Sequence, residues 1–195
     1  MTLKKSPVAD ELIQKLQNRL LARAADAFPS RGPDVDHPGL YSWWADDDGA
    51  ETLSVVFGEP LPSLIYAGQA GATSSRFGTE RVATLGSRIR TNHLNGNINS
   101  STFRRTLTAV LFDALGLELD GPSRLNAASN RAVSAWMRSH LAVVLAPCTD
   151  RTTLSNLEDE VLAVLDPPLN LMGMRSTPVR VQLRDLRRRF DEGRG

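Results

Sequence analysis

Cysteine occurs once in this chain, at Cys148, and histidine three times, at His37, His93 and His140. A single thiol cannot close an internal disulfide, and so few soft ligands, scattered along the chain, do not make a structural zinc site. Long apolar runs are missing too. The longest, Leu141 to Ala146, is too short to cross a bilayer, and the segment Met1 to Asp10 is too polar for a signal sequence. The expectation is a soluble, cytoplasmic protein with no membrane partner. Net charge is only +1, so there is no global electrostatic footprint for nucleic acid. There is no Gly-x-x-x-x-Gly-Lys-Ser/Thr loop, no Gly-x-Gly-x-x-Gly fingerprint and no Gly-x-Ser-x-Gly elbow. Gly68-Gln69-Ala70-Gly71 lacks the lysine of a phosphate loop and reads as the exit from a strand. Repeats and low-complexity tracts are also missing, which sets solenoids aside.

What is present fits a folded domain. Hydrophobic residues make up 41% and charged residues 23% of 195, enough to bury a core in one domain with appendages. The expected fold class is α/β of the α+β kind, a small, mostly antiparallel sheet flanked by several helices. Leu12, Ile13, Leu16, Leu20 and Ala24 recur at helical spacing and predict a helix over 8–28. Pro29, Gly32 and Pro33 then mark a linker. Asp46-Asp47-Asp48-Gly49 reads as a hairpin turn, with 52–57 returning as a strand. Further helices are predicted over 84–94, 101–115, 123–138 and 152–165, with a strand over 141–146. The expected division is an N-terminal helix and linker (1–37), a central domain (38–172) and a basic C-terminal helix or tail (173–195).

Tyrosine occurs twice. Both copies sit at equivalent places in β-prone segments, Gly39-Leu40-Tyr41-Ser42-Trp43-Trp44 and Leu64-Ile65-Tyr66-Ala67-Gly68. Farther on, a helix from Thr152 would carry Leu154, Leu157, Val161, Leu162 and Leu165 on one face, with Glu158 inside that stripe and Asp159 pointing away. A carboxylate on an apolar face needs a metal or a partner such as an arginine at the rim. On a helix near Leu85, Leu85 and Ile89 mark the buried side, Arg88 and His93 flank it, and Arg90 points outward. Ser100 or Ser101 is a candidate N-cap for the next helix, whose N-terminus beside Arg104 would also receive a DNA phosphate. Arginines cluster at 88, 90, 104 and 105 and again at 184 and 187–189. The second cluster is interleaved with Asp185, Asp191 and Glu192, the pattern of a solvated helix face.

The two tyrosine segments, in order with Arg88, His93, Glu158 and the sequence Pro167-Pro168-Leu169-Asn170, resemble the GIY-YIG nucleases over roughly residues 38 to 172. Gly39-Leu40-Tyr41 stands for the first motif and Tyr66-Ala67-Gly68 for the second, each departing at its middle residue. The resemblance implies a metal-dependent endonuclease acting on DNA phosphodiester bonds, with catalytic residues Tyr41, Tyr66, Arg88, His93, Glu158 and Asn170. Glu158 would hold one Mg²⁺ or Mn²⁺, a tyrosine hydroxyl (Tyr41 or Tyr66) would help activate water, and Arg88 would neutralise phosphate charge. Asn170 would position metal or phosphate, or hold its loop. Arg90 and Arg104 are expected to touch DNA. Family members often place the histidine four residues after the arginine, whereas Arg88 to His93 is five, so Arg90 stays open as the alternative to Arg88. The long Tyr41-to-Tyr66 spacing implies an inserted loop or strand. A double-strand break would call for a homodimer. The other reading is a non-catalytic nucleic-acid-binding or partner-binding module that keeps the fold.

Overall fold

The computed structural model describes residues 6–71, 83–121 and 123–193, so the start of the polar amino terminus discussed above lies outside the described residues. Its centre is a four-stranded antiparallel sheet of order β1-β4-β2-β3, built from β1 (Arg23–Ala24), β2 (Gly39–Ala45), β3 (Leu64–Ala70) and β4 (Leu141–Pro147). Strand β2 is central and almost wholly buried, which explains why it lacks the polar alternation of a half-exposed strand. Its odd residues Tyr41, Trp43 and Ala45 face the larger core, and Leu40 faces a second one with Val144 and Ala146. The middle residue of the first motif therefore packs on the face opposite the tyrosines. Any apolar side chain of suitable size serves there, so leucine is no loss.

Helices α1 (Pro7–Leu16) and α5 (Leu154–Leu165) cover that second face. On the other face lie a π-helix (Ser87–Leu94), α3 (Thr102–Val110), α4 (Ala127–His140) and α6 (Pro178–Asp191). The α+β class is as the sequence implies. The starts of α1, α3, α4 and α6 have a local cause: Ser6, Ser101, Asn126 and Thr177 accept from the backbone N–H three residues on, and Pro7 and Pro178 sit where a missing N–H does no harm. No helix among the described residues is long and apolar enough to cross a membrane.

Two segments differ from expectation. The predicted hairpin turn and returning strand form instead a helix, α2 (Asp47–Phe57). Asp46 caps it by accepting from the Gly49 N–H at 2.7 Å, Asp47 and Asp48 complement its positive end, and Gly58 closes it in the left-handed conformation. The β-branched Thr52, Val55 and Val56 yield because Leu53 and Phe57, one helical turn apart, fall on the core side. The insertion between the tyrosines is thus a helix, and β2 and β3 still pair directly. The predicted helix over 8–28 stops at Leu16. Asn18 then caps a 3₁₀ turn, Leu20 is 94% exposed, and Ala24 lies in β1 beside β4.

Candidate active site

Antiparallel pairing sets Tyr41 opposite Gly68 and Trp43 opposite Tyr66. Cross-strand partners share a face, so Tyr41 and Tyr66 become diagonal neighbours on the same side of the sheet. Gly68 makes this possible. A Cβ there would stand 2.8 Å from the Tyr41 hydroxyl and 3.2 Å from the Tyr66 ring. Gly39 has a backbone reason, since its Cβ would fall 2.4 Å from the Ala146 carbonyl oxygen on β4. Phe103 of α3 stacks on Tyr66 (ring centroids 4.5 Å apart) and on Trp43 (5.3 Å), fixing the aromatic floor.

A cleft of about 760 Å³ opens above this floor, lined by Tyr41, Tyr66, Arg88, His93, Glu158 and Asn170 among others. Six of the sequence-predicted residues thus converge. Arg90 is exposed and does not line the cleft, whereas Arg88 does. The five-residue spacing of Arg88 and His93 has a physical explanation. Helical bonds here run i→i+5, as in Asn95 N–H to Arg90 C=O at 3.0 Å. Such a helix takes about one more residue per turn than an α-helix, so five residues span about the angle that four span in an α-helix. Arg88 and His93 therefore reach the same cleft.

His93 is buried, with Nε2 at 2.8 Å from the Tyr41 hydroxyl and Nδ1 at 2.5 Å from Ser101 Oγ. Burial, then the charges of Arg88 and Arg104, lower its pKa to about 3, so the ring is neutral at working pH. The tautomer follows from Ser101. Its Oγ accepts from the Arg104 backbone N–H at 2.9 Å, and among the described residues the acceptor available to its own O–H is His93 Nδ1. The imidazole proton then resides on Nε2 and is donated to the Tyr41 oxygen, leaving the Tyr41 O–H free to turn into the cleft. Burial raises the Tyr41 pKa well above the phenol range, with Tyr66 adding to it and Arg88 opposing. Tyr66 is pushed up to about 12, by burial first and then by Glu158.

Glu158 projects from α5 into the cleft, half-buried, between the buried Leu157 and Val161. Desolvation raises its pKa; Gln69 hydrogen bonding and, more weakly, Arg88 pull it back. Asp159, expected to point away, stands exposed on the cleft rim. Among the described residues no group of three His, Cys, Asp or Glu converges on a point. A divalent cation would therefore rest on one carboxylate plus water and substrate oxygens, a donor set that suits Mg²⁺. Arg88 forms no hydrogen bond or ion pair among the described residues, and its buried Nε has no acceptor.

Asn170 pairs its amide with the backbone of Ala67: Oδ1 accepts from the Ala67 N–H at 3.0 Å and Nδ2 donates to the Ala67 C=O at 2.8 Å. It holds the Asp166–Asn170 loop against β3, with the Leu169 N–H donating to the Ile65 C=O at 3.0 Å. Arg104 departs from expectation. It is fully buried, and its guanidinium donates to the His93 C=O (3.0 Å), the Asn130 C=O (2.6 Å) and Ser134 Oγ (2.9 Å). The side chain expected to touch DNA is thus closed to solvent and anchors the end of the π-helix. Burial lowers its pKa to about 10, which leaves it charged.

Sequence reasoning passed over Arg180 and the hydroxyl of Ser101 as a histidine partner. Arg180 is buried and donates to the Asn170 C=O (2.9 Å), the Pro167 C=O (2.8 Å) and Asp166 Oδ1 (2.8 Å). The signal for it was faint: Val179, Arg180, Leu183 and Phe190 share the inner face of α6.

A family model described as the GIY-YIG catalytic domain matches residues 39–189. No curated protein and no solved structure gives a significant match.

Proposed function

The chain belongs to the GIY-YIG catalytic-domain family, and from that premise we propose that it is a metal-dependent endonuclease hydrolysing phosphodiester bonds in DNA. The observation that carries this reading is the convergence of Tyr41, Tyr66, Arg88, His93 and Glu158 on one cleft, with the Arg88 Nε buried and lacking an acceptor. A guanidinium that forms no hydrogen bond or ion pair among the described residues is suited to the non-bridging oxygens of a phosphodiester, which its planar fork can meet with two donors. Bound through Glu158, Mg²⁺ or Mn²⁺ would neutralise charge on the leaving oxygen.

Tyr41 is the residue we assign to the attacking water. In the free protein it is a phenol at neutral pH, since burial disfavours the phenolate. Its own proton must pass to solvent before it takes one from water, and the Nε2–H of His93 then donates to the phenolate oxygen. Tyr66, whose hydroxyl has no hydrogen bond among the described residues, orients water or phosphate. Asn170 acts as a positioning residue, through the loop it holds. Arg90, exposed on the outer side of the π-helix, would serve as an outlying backbone contact. Because phenolate gains about tenfold per pH unit below its pKa, the cleavage rate should climb from about pH 6 to about 9.

The test is cleavage of supercoiled plasmid and of labelled duplex and single-stranded oligonucleotides with Mg²⁺, Mn²⁺ or EDTA, comparing wild type with Glu158→Ala. Metal-dependent nicking that the variant loses supports the endonuclease. Folded wild type that binds every substrate and cuts none sinks it in favour of a non-catalytic binding module.

A further inference from the structure

Arg187 differs from its neighbours Arg188 and Arg189 on α6. Arg188 pairs with Asp185 and Glu192, and Arg189 pairs with Asp185. Both project from the exposed side of the helix. Arg187 is half-buried and lines the cleft with Tyr66, Arg88 and Thr106. It forms no hydrogen bond and no salt bridge among the described residues. The two acids nearest it in sequence are already engaged: Asp185 by Arg188 and Arg189, and Asp191 by Arg105, whose Nε at 3.0 Å and Nη2 at 2.5 Å donate to Oδ1. Burial and the neighbouring Arg105 both lower the Arg187 pKa, with Asp191 and Tyr66 opposing. A guanidinium stays charged nonetheless. Arg187 is therefore a partly desolvated cation, beside a second cation, that forms no ion pair among the described residues.

Thr106 supplies an independent observation. It is 1% exposed, lines the same cleft, and its Oγ1 is buried without a hydrogen-bond partner. A threonine in a helix can usually satisfy its hydroxyl on the preceding turn, so on a residue that lines a cleft a buried hydroxyl with no partner among the described residues is a donor awaiting an acceptor. Arg187 also lines a shallow groove along α6 with Leu171 and Arg184. It stands where the two depressions meet.

We propose that Arg187 and Thr106 form a second phosphate subsite, which takes a backbone phosphate flanking the scissile one and leads the nucleic-acid strand out along α6. The subsite rests on the nucleic-acid reading of the cleft. An anion there would give the cation its counter-charge and the hydroxyl its acceptor, while Arg88 holds the scissile phosphate. A single nucleotide-sized volume would be served by Arg88 alone; a strand needs a second grip to fix its direction.

The experiment measures binding apart from cleavage. Labelled single-stranded and duplex oligonucleotides are titrated in EDTA, by fluorescence anisotropy over a KCl series, with wild type, Arg187→Ala, Arg187→Gln, Thr106→Val and the control Arg189→Ala. Expected are a loss of about tenfold in affinity for both Arg187 variants and a salt slope shallower by about 0.9 for duplex or 0.7 for single strand. Thr106→Val should lose a few-fold with the slope unchanged, and Arg189→Ala should match wild type. Thermal melting separates a structural role: removing an unpaired cation leaves the melting temperature equal or higher. Arg187 variants that bind with wild-type affinity and slope overturn the subsite, even if wild type cleaves. Wild type that binds without cutting, with the Arg187-dependent slope intact, keeps the subsite and removes the endonuclease. Wild type that binds no nucleic acid overturns both.

Discussion

Four arginines surround the cleft in two pairs that share a side chain and differ in everything else. Arg104 and Arg180 are buried, and each guanidinium donates several hydrogen bonds to backbone carbonyls and polar side chains, with only Arg104 Nε left over. Arg88 and Arg187 are half-buried at the cleft wall, and neither forms a hydrogen bond or ion pair among the described residues. The first pair clamps the segments that carry His93 and Asn170; the second faces the cleft without a partner among the described residues. The role of an arginine here is decided by whether the fold brings it acceptors, and burial by itself does not distinguish the two uses.

Breaking the buried pair should have the largest effect. Arg180→Ala leaves the Asn170 C=O without its donor and strips one donor from the Pro167 C=O, which keeps the Asn170 N–H, and one from the Asp166 carboxylate, which keeps Arg175, and a loss of about 3 kcal/mol is expected, read from urea unfolding. Arg88→Ala should do the opposite: kcat falls about 10²- to 10³-fold while the urea midpoint stays at the wild-type value. A drop in the midpoint comparable to that of Arg180→Ala would abolish the distinction between the pairs.

His93 sharpens the comparison because Arg104 and Arg88 both act on it. Its folded pKa, near 3, lies below the unfolded value of about 6.5. The unfolded chain takes up a proton that the folded chain refuses, so the contribution to stability is complete above pH 6.5 and is lost as pH falls toward 3. The slope is about 1.4 kcal/mol per pH unit within that window. His93→Gln should flatten the difference in unfolding free energy between pH 7.5 and 5.5, and an unchanged difference would mean that the ring is not buried neutral. The smallest effect is expected at Ser101. Ser101→Ala removes an N-cap, costing about 1 kcal/mol, and frees Nδ1 to carry the imidazole proton. The Nε2–H to Tyr41 donation then weakens, and the alkaline rise of the cleavage rate should move to higher pH. Ser101→Thr should restore both.

The motif tyrosines and glycines, Glu158 on its apolar stripe and the outward turn of Arg90 were legible because each depends on local periodicity. Arg104 and Arg180 were not, since their acceptors come from segments remote in sequence, and a charged residue in a run of arginines looks solvated until the packing is known. The segment from Asp46 to Phe57 misled for another reason. A turn and a helix N-cap use the same residues, and its β-branched content argued against the packing that prevailed. The π-helix shows the reverse case, a spacing that looked discordant in α-helical terms and is regular in its own geometry.

The seal that Asn170 and Leu169 form on β3 has a consequence for how the molecule behaves in company. Strand β3 ends the sheet on its side, and the open row of N–H and C=O groups on such a strand is a template for recruiting foreign strands. By presenting an amide that imitates a neighbouring backbone, Asn170 occupies the rung at Ala67, and Leu169 takes the one at Ile65. The residue that steadies the loop beside the cleft thus also covers part of an open sheet edge, so its loss should register in the solubility of the protein as well as in the geometry of the cleft.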